Sequence, residues 1–142
     1  MTPTSNGSPS VLRSVGAVAA GLLAIIVLSI GTDAILRLVG VFPSDGTAMG
    51  QTCYALATGH RLVWSIAGCA LAARLAPTRP MLHAMVLGLI GVVLSAAGVA
   101  VAWGKGPEFG PRWYPIALVL IALPCAWVGG MLASDRPGQR AA

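Results

Sequence analysis

MLHAMVLGLIGVVLSAAGVAVAW, Met81 to Trp103, decides the fold. The run holds no Asp, Glu, Lys or Arg. It exceeds the roughly 20 apolar residues that an α-helix needs to cross the hydrocarbon core of a bilayer. Pro77-Thr78-Arg79-Pro80 precedes it and Gly104-Lys105-Gly106-Pro107 follows it. Proline cannot continue a helical hydrogen-bond ladder, and glycine-rich segments turn, so both borders are marked. Ala84, Gly88, Gly91, Ser95, Gly98 and Ala102 recur at steps of three and four along one face. Small residues on one face let two helix backbones approach closely, which is how helices associate in lipid. Gly88, Gly91, Ser95 and Gly98 are therefore the expected packing seam. Ser65, Gly68 and Ala72 of the preceding run offer a partner seam, and a second copy of the chain is the alternative partner.

Three further runs flank this one. The first extends from about Val11 to Val41. Its apolar stretch continues past Ile30 through Ile35, Leu36, Leu38 and Val39, well beyond the roughly 7–15 residues of a signal-peptide core. It reads as a retained helix ended by Phe42-Pro43 and Ser44-Asp45-Gly46. The second spans about Thr52 to Ala76, and the fourth about Trp113 to Ala133, where Pro124 is expected to bend the helix. Period-2 alternation is missing, so membrane strands are excluded. Met1 to Ser10 is rich in Ser, Thr, Pro, Asn and Gly and reads as a disordered tail, as does Ser134 to Ala142. The expected fold is an all-α membrane protein. It is an up-down bundle of four transmembrane helices at about 11–41, 52–76, 81–103 and 113–133, joined by short loops.

Composition agrees. Of the 142 residues 56% are hydrophobic and 9% charged, against about 25% charged in a soluble domain. Such a chain cannot cover a water-facing surface, and the bilayer is its first partner. The formal net charge is +5, but the basic residues gather at the ends of apolar runs and not in a patch with interleaved aromatics, so nucleic acid is not an expected partner. Arg13, Arg74, Arg79, Arg136 and Arg140 fall on one side, Lys105 and Arg112 on the other. The positive-inside rule puts both termini in the cytoplasm. Eight of the nine basic residues are Arg, and Ala and Gly are abundant, which suggests a GC-rich bacterial genome and hence an inner-membrane location. Cys53, Cys69 and Cys125 are scattered and form no metal or disulfide framework, so they read as apolar packing residues.

Few residues could carry chemistry. Asp33 lies eight residues before Val41 and Arg61 nine after Thr52. At 1.5 Å per residue each sits about 12–14 Å from the edge their helices share. A lone charge at such depth costs about 2.5 kcal/mol or more, so two opposite charges at matching depth are expected to pair. Arg37, four residues after Asp33, is expected to reach the same carboxylate, and His60 adjoins Arg61. Asp33, Arg37, His60 and Arg61 thus form an expected intramembrane polar cluster. It reads either as a lock between two helices or as the proton- or cation-binding site of a small transporter. An acid beside two Arg suits the lock better, because it stays ionised. His60 and His83 lie near opposite faces and cannot share one metal or haem. Glu108 and Asp45 fall in the outer loops. There is no GxSxG, HExxH or Walker loop, so no enzyme, metal or cofactor is expected.

Five stretches carry a resemblance: GTDAILRLVGVFP (Gly31 to Pro43), ALATGHR (Ala55 to Arg61), ARLAPTRPMLHA (Ala73 to Ala84), GPRWYP (Gly110 to Pro115) and ALPCAWVGG (Ala122 to Gly130). In these the chain resembles an uncharacterised family of small bacterial four-span integral membrane proteins. The resemblance implies topology and no activity. Small multidrug exporters also have four helices and an acid on the first, but their motif is missing here. The expected function is an accessory or structural membrane subunit, alone, as a homo-oligomer or with another membrane protein. The alternative is a small proton- or cation-coupled transporter using Asp33.

Overall fold

A computed structural model describes residues 8–44, 49–103, 105 and 110–134. Asp45 and Glu108 lie outside them, as do 1–7 and 135–142 of the two tails. Four helices follow in order: α1 (Ser8–Leu38), α2 (Gln51–Leu75), α3 (Pro80–Trp103) and α4 (Trp113–Ser134). Among the described residues there is no strand. Three helices, α1, α3 and α4, are long and apolar enough to cross a membrane. The 25-residue α2 is not among them, because Thr58, His60, Arg61, Ser65 and Arg74 dilute its apolar character.

The borders differ most from the sequence reading at the two ends of α1, each for a local reason; elsewhere they shift by one residue, and Ser134, expected in the tail, closes α4. Ser8, Pro9 and Ser10, expected in the tail, are helical. Proline fits a first helical turn, where no backbone N–H needs an intrahelical partner. At the other end α1 stops at Leu38, although the apolar run continues to Val41. Gly40 takes φ +75°, its N–H donates to the Arg37 carbonyl at 3.1 Å, and the Val41 N–H donates to the Leu36 carbonyl at 2.9 Å. This pair of bonds is a Schellman cap, and glycine at the left-handed position is what stops the helix. The chain then turns Phe42 inward, 2% exposed. Between α2 and α3, Ala76 is extended ahead of Pro77, as the residue before a proline prefers. Arg79 adopts φ 48° before Pro80 opens α3. The α4 helix runs on through Pro124.

Cross-helix contacts give the register. Gly21 meets Gly68 and Ala72, while Thr32 meets Trp64, so α1 and α2 are antiparallel. Gly88 meets Ala126 and Gly130 meets Ala84, so α3 and α4 are antiparallel. Gln51 meets Trp113 and Cys69 meets Gly129, so α2 and α4 run parallel. The α2 helix is the centre of the bundle, packing against each of the other three, whereas α1 leans mainly on α2 and touches α3 lightly.

The bundle is tight at one end and splayed at the other. Near the α2–α3 turn, a Cβ on Gly21 would lie 2.6 Å from the Gly68 carbonyl oxygen, and one on Gly129 2.6 Å from the Ile66 carbonyl oxygen. Backbones touch here because no side chain intervenes. Cys69, Ala72, Ala73, Ala84, Leu87, Ala126 and Ala133 form the core at this end. Towards the opposite end, a Cβ on Gly31, Gly59 or Gly98 would meet nothing within 4 Å. There a cavity opens among the four helices, while nearer the α2–α3 turn α1 stands apart from α3 across a second space.

The expected α3 seam divides at the same level. Gly88 packs on Ala126, and a Cβ on Gly91 would sit 3.6 Å from that of Ala122. Ser95 lines the cavity and Gly98 a groove beside it. The partner is α4, not the Ser65, Gly68 and Ala72 face of α2. Gly68 and Ala72 instead receive Gly21 of α1. Ala122, Ala126 and Gly130, at steps of four along α4, form the stripe that receives α3.

Candidate functional site: the Asp33 cluster and the adjoining cavity

At the splayed end, Asp33 from α1 faces α2. Arg61 Nη2 donates to Asp33 Oδ2 at 2.6 Å, a short charge-assisted bond. His60 brings Nε2 to 3.2 Å from Asp33 Oδ1. One turn towards the closed end, Trp64 Nε1 donates to Thr32 Oγ1 at 2.9 Å, and Thr32 Oγ1 donates to the Leu28 carbonyl at 2.7 Å. The spacing explains the match. Thr32 and Asp33 are adjacent on α1, and Arg61 and Trp64 are one turn apart on α2, so an antiparallel crossing sets both pairs side by side.

The four expected cluster residues do not all meet. Arg37 turns away and donates through Nη1 to the Pro43 carbonyl at 3.1 Å. The Schellman cap folds the chain back so that this carbonyl falls within its reach, and Arg37 pins the loop. Three residues remain, Asp33, His60 and Arg61, and one joins them that the sequence reading missed. Tyr114 at the start of α4 lies under the Arg61 guanidinium, 5.7 Å from Cζ to the ring centroid. Its ring also packs on Tyr54 at 5.1 Å. A guanidinium over an aromatic face is held by the ring quadrupole. The clue was the aromatic density of Arg112-Trp113-Tyr114, which the sequence alone reads as an interfacial belt.

One corner of the cluster is under-satisfied. His60 Nδ1 faces the Leu56 carbonyl at 3.1 Å, so that nitrogen carries the hydrogen. Asp33 Oδ1 and His60 Nε2 are both sealed from solvent, yet no aligned hydrogen bond joins them or any other described group to them. Such atoms are uncommon in native proteins and mark places where strain or function resides.

Beside the cluster lies a cavity of about 370 Å³ walled by all four helices. Arg61 is its one charged lining residue among the described residues, and Ser29, Ser65 and Ser95 are its hydroxyls. The rest of the wall is aliphatic, apart from Gly91. At Leu22 the cavity adjoins a second space of about 490 Å³ between α1 and α3, lined by apolar side chains together with Ser14 and His83. His83 is 9% exposed and faces the Arg79 carbonyl at 3.2 Å. It caps the α2–α3 turn, at the far end from His60. Among the described residues no group of three His, Cys, Asp or Glu could hold a metal ion. The cysteines are free thiols, with Cys69 and Cys125 buried.

No protein-family model matches the chain, nor does any curated protein or solved structure. The site's own geometry is therefore the ground for any functional reading.

Proposed function

We propose that this protein is a four-span integral membrane subunit of accessory or structural type, with both termini in the cytoplasm and Asp33–Arg61 as its internal lock. The 2.6 Å bond between these side chains is the observation that carries the reading. The α1 helix needs a lock, because Leu23, Ile26, Val27, Ile30 and Ile35 are exposed along it. In lipid such a face gains nothing by turning inward, so van der Waals contact and polar links hold the helix in place. The same exposed face offers a further membrane protein, or a second copy, a surface to pack on.

Reading α2 as the fourth span rests on length and on where its polar groups point. Its 25 residues reach about 38 Å, more than the roughly 30 Å hydrocarbon core. Arg61 and Trp64 each donate one bond to α1, and His60 Nε2 lies 3.2 Å from Asp33 Oδ1. A central helix enclosed by three others needs less apolar surface than they do. The bacterial inner membrane is the compartment suggested by Arg placement and composition. Reconstitution tests the subunit reading: the purified chain is expected to show no solute flux by itself and to co-purify with a membrane partner or as an oligomer.

A second reading has its own support. The under-satisfied Asp33 Oδ1–His60 Nε2 corner lies beside a cavity, as an ion-handling site would. A small proton- or cation-coupled transporter using Asp33 predicts pH-driven flux in liposomes that Asp33→Asn abolishes without loss of fold.

A further inference from the structure

The cavity has the composition of a receptor for one class of molecule. Its wall is aliphatic over most of its area and includes a single charged residue among the described ones, Arg61. A guanidinium presents five N–H donors. Among the described residues Arg61 makes one hydrogen bond, to Asp33 Oδ2, and its face rests on Tyr114. Its side chain is 30% exposed and the residue lines the cavity, so N–H donors beyond the one given to Asp33 are available to an occupant that reaches them. Ser29, Ser65 and Ser95 add hydroxyls from three helices around the same space. A second α1–α3 groove, almost wholly apolar, shares Leu22 with the cavity and reaches Ser14. The two spaces together flank α1 from Ile30 to Ser14, about 24 Å of helix.

We propose that this cavity binds a single-chain anionic amphiphile, its carboxylate or phosphate-like head on Arg61 and its hydrocarbon chain along the α1–α3 seam. Charge selects the occupant. A neutral chain would leave Arg61 donors without an acceptor, and a cation would meet the guanidinium as a like charge. The open α1–α3 seam gives lateral entry from the bilayer, where such molecules reside. Asp33 competes with the head for Arg61, because both are anions addressing the same fork of donors. The proposal rests on the chain's being membrane-embedded, and it does not depend on whether the Asp33–Arg61 link is a lock.

The test uses the full chain in nanodiscs of a zwitterionic lipid, with spin-labelled stearic acid as probe and its methyl ester as the neutral control. Resistance to alkaline extraction checks membrane embedding separately, so failure of that premise is distinguishable from failure of the site. The acid is expected to show one immobilised probe per chain, bound about tenfold more tightly than the ester, the ratio for about 1.4 kcal/mol. Ser95→Leu fills the cavity while leaving Asp33, His60 and Arg61 in place, and it is expected to abolish the immobilised component in a folded protein. Asp33→Asn removes the competing anion and is expected to tighten binding. Equal affinity for acid and ester, or unchanged binding in folded Ser95→Leu, would overturn the proposal.

Discussion

Arg61 holds Asp33 through a 2.6 Å hydrogen bond across the α1–α2 crossing. Both side chains are partly covered, at 30% and 23% exposure. In a bilayer the uncovered part meets lipid or the adjoining cavity. Either charge alone would be costly there, and the pair removes much of that cost. The consequence is directional. Loss of one partner strands the other, whereas loss of both leaves two neutral groups. His60 Nε2 lies 3.2 Å from the other carboxylate oxygen, Asp33 Oδ1, without an aligned hydrogen bond between them.

The glycines sort into two classes with opposite expected outcomes. Gly21→Ala places a methyl 2.6 Å from the Gly68 carbonyl oxygen, and Gly129→Ala one 2.6 Å from the Ile66 carbonyl oxygen. Each forces backbones apart and is expected to lower stability by about 1–3 kcal/mol. Gly59→Ala and Gly98→Ala meet nothing within 4 Å and are expected to be neutral or to gain up to about 1 kcal/mol from helix propensity. Thermal unfolding in a mild detergent separates the classes.

Gly40 is a third case. Its φ of +75° forms the α1 cap, and Gly40→Ala is expected to cost about 1 kcal/mol although its Cβ meets open space. If Gly40→Ala instead matched wild type in the same unfolding assay, the cap would not be what ends α1.

Orientation has a labelling test. In a background of Cys53→Ser, Cys69→Ala and Cys125→Ala, a cysteine at Thr78 is expected to resist a membrane-impermeant maleimide added to intact cells. One at Lys105 is expected to react. The reverse pattern would invert the topology.

The main features of the fold were legible because lipid imposes a simple code. Long runs without charge, bounded by Pro and Gly, become helices, and α3 begins and ends within a residue of where Pro80 and Trp103 mark it. The end of α1 was less legible, since Val39 and Val41 continue the apolar run and only the left-handed Gly40 breaks it. Asp33 with Arg61 could be paired from depth alone, because a shared loop gives both helices a common origin. Arg37 misled for a related reason. Spacing of four put it on the Asp33 face, but the folded-back loop offered the Pro43 carbonyl instead. Tyr114 under Arg61 depends on α4 lying beside α2, and no local pattern encodes which helices are neighbours.

The double-mutant cycle on Asp33 and Arg61 tests the central claim most directly. Unfolding of Asp33→Asn, Arg61→Gln and the double variant would be measured in one detergent. Each single variant is expected to lose about 2–3 kcal/mol, and the double about as much as one single, giving a coupling of about 2 kcal/mol or more. Additive losses, or an Asp33→Asn protein as stable as wild type, would contradict the lock. Asp33 would then be free to serve ion handling, and pH-driven flux in liposomes would decide its role.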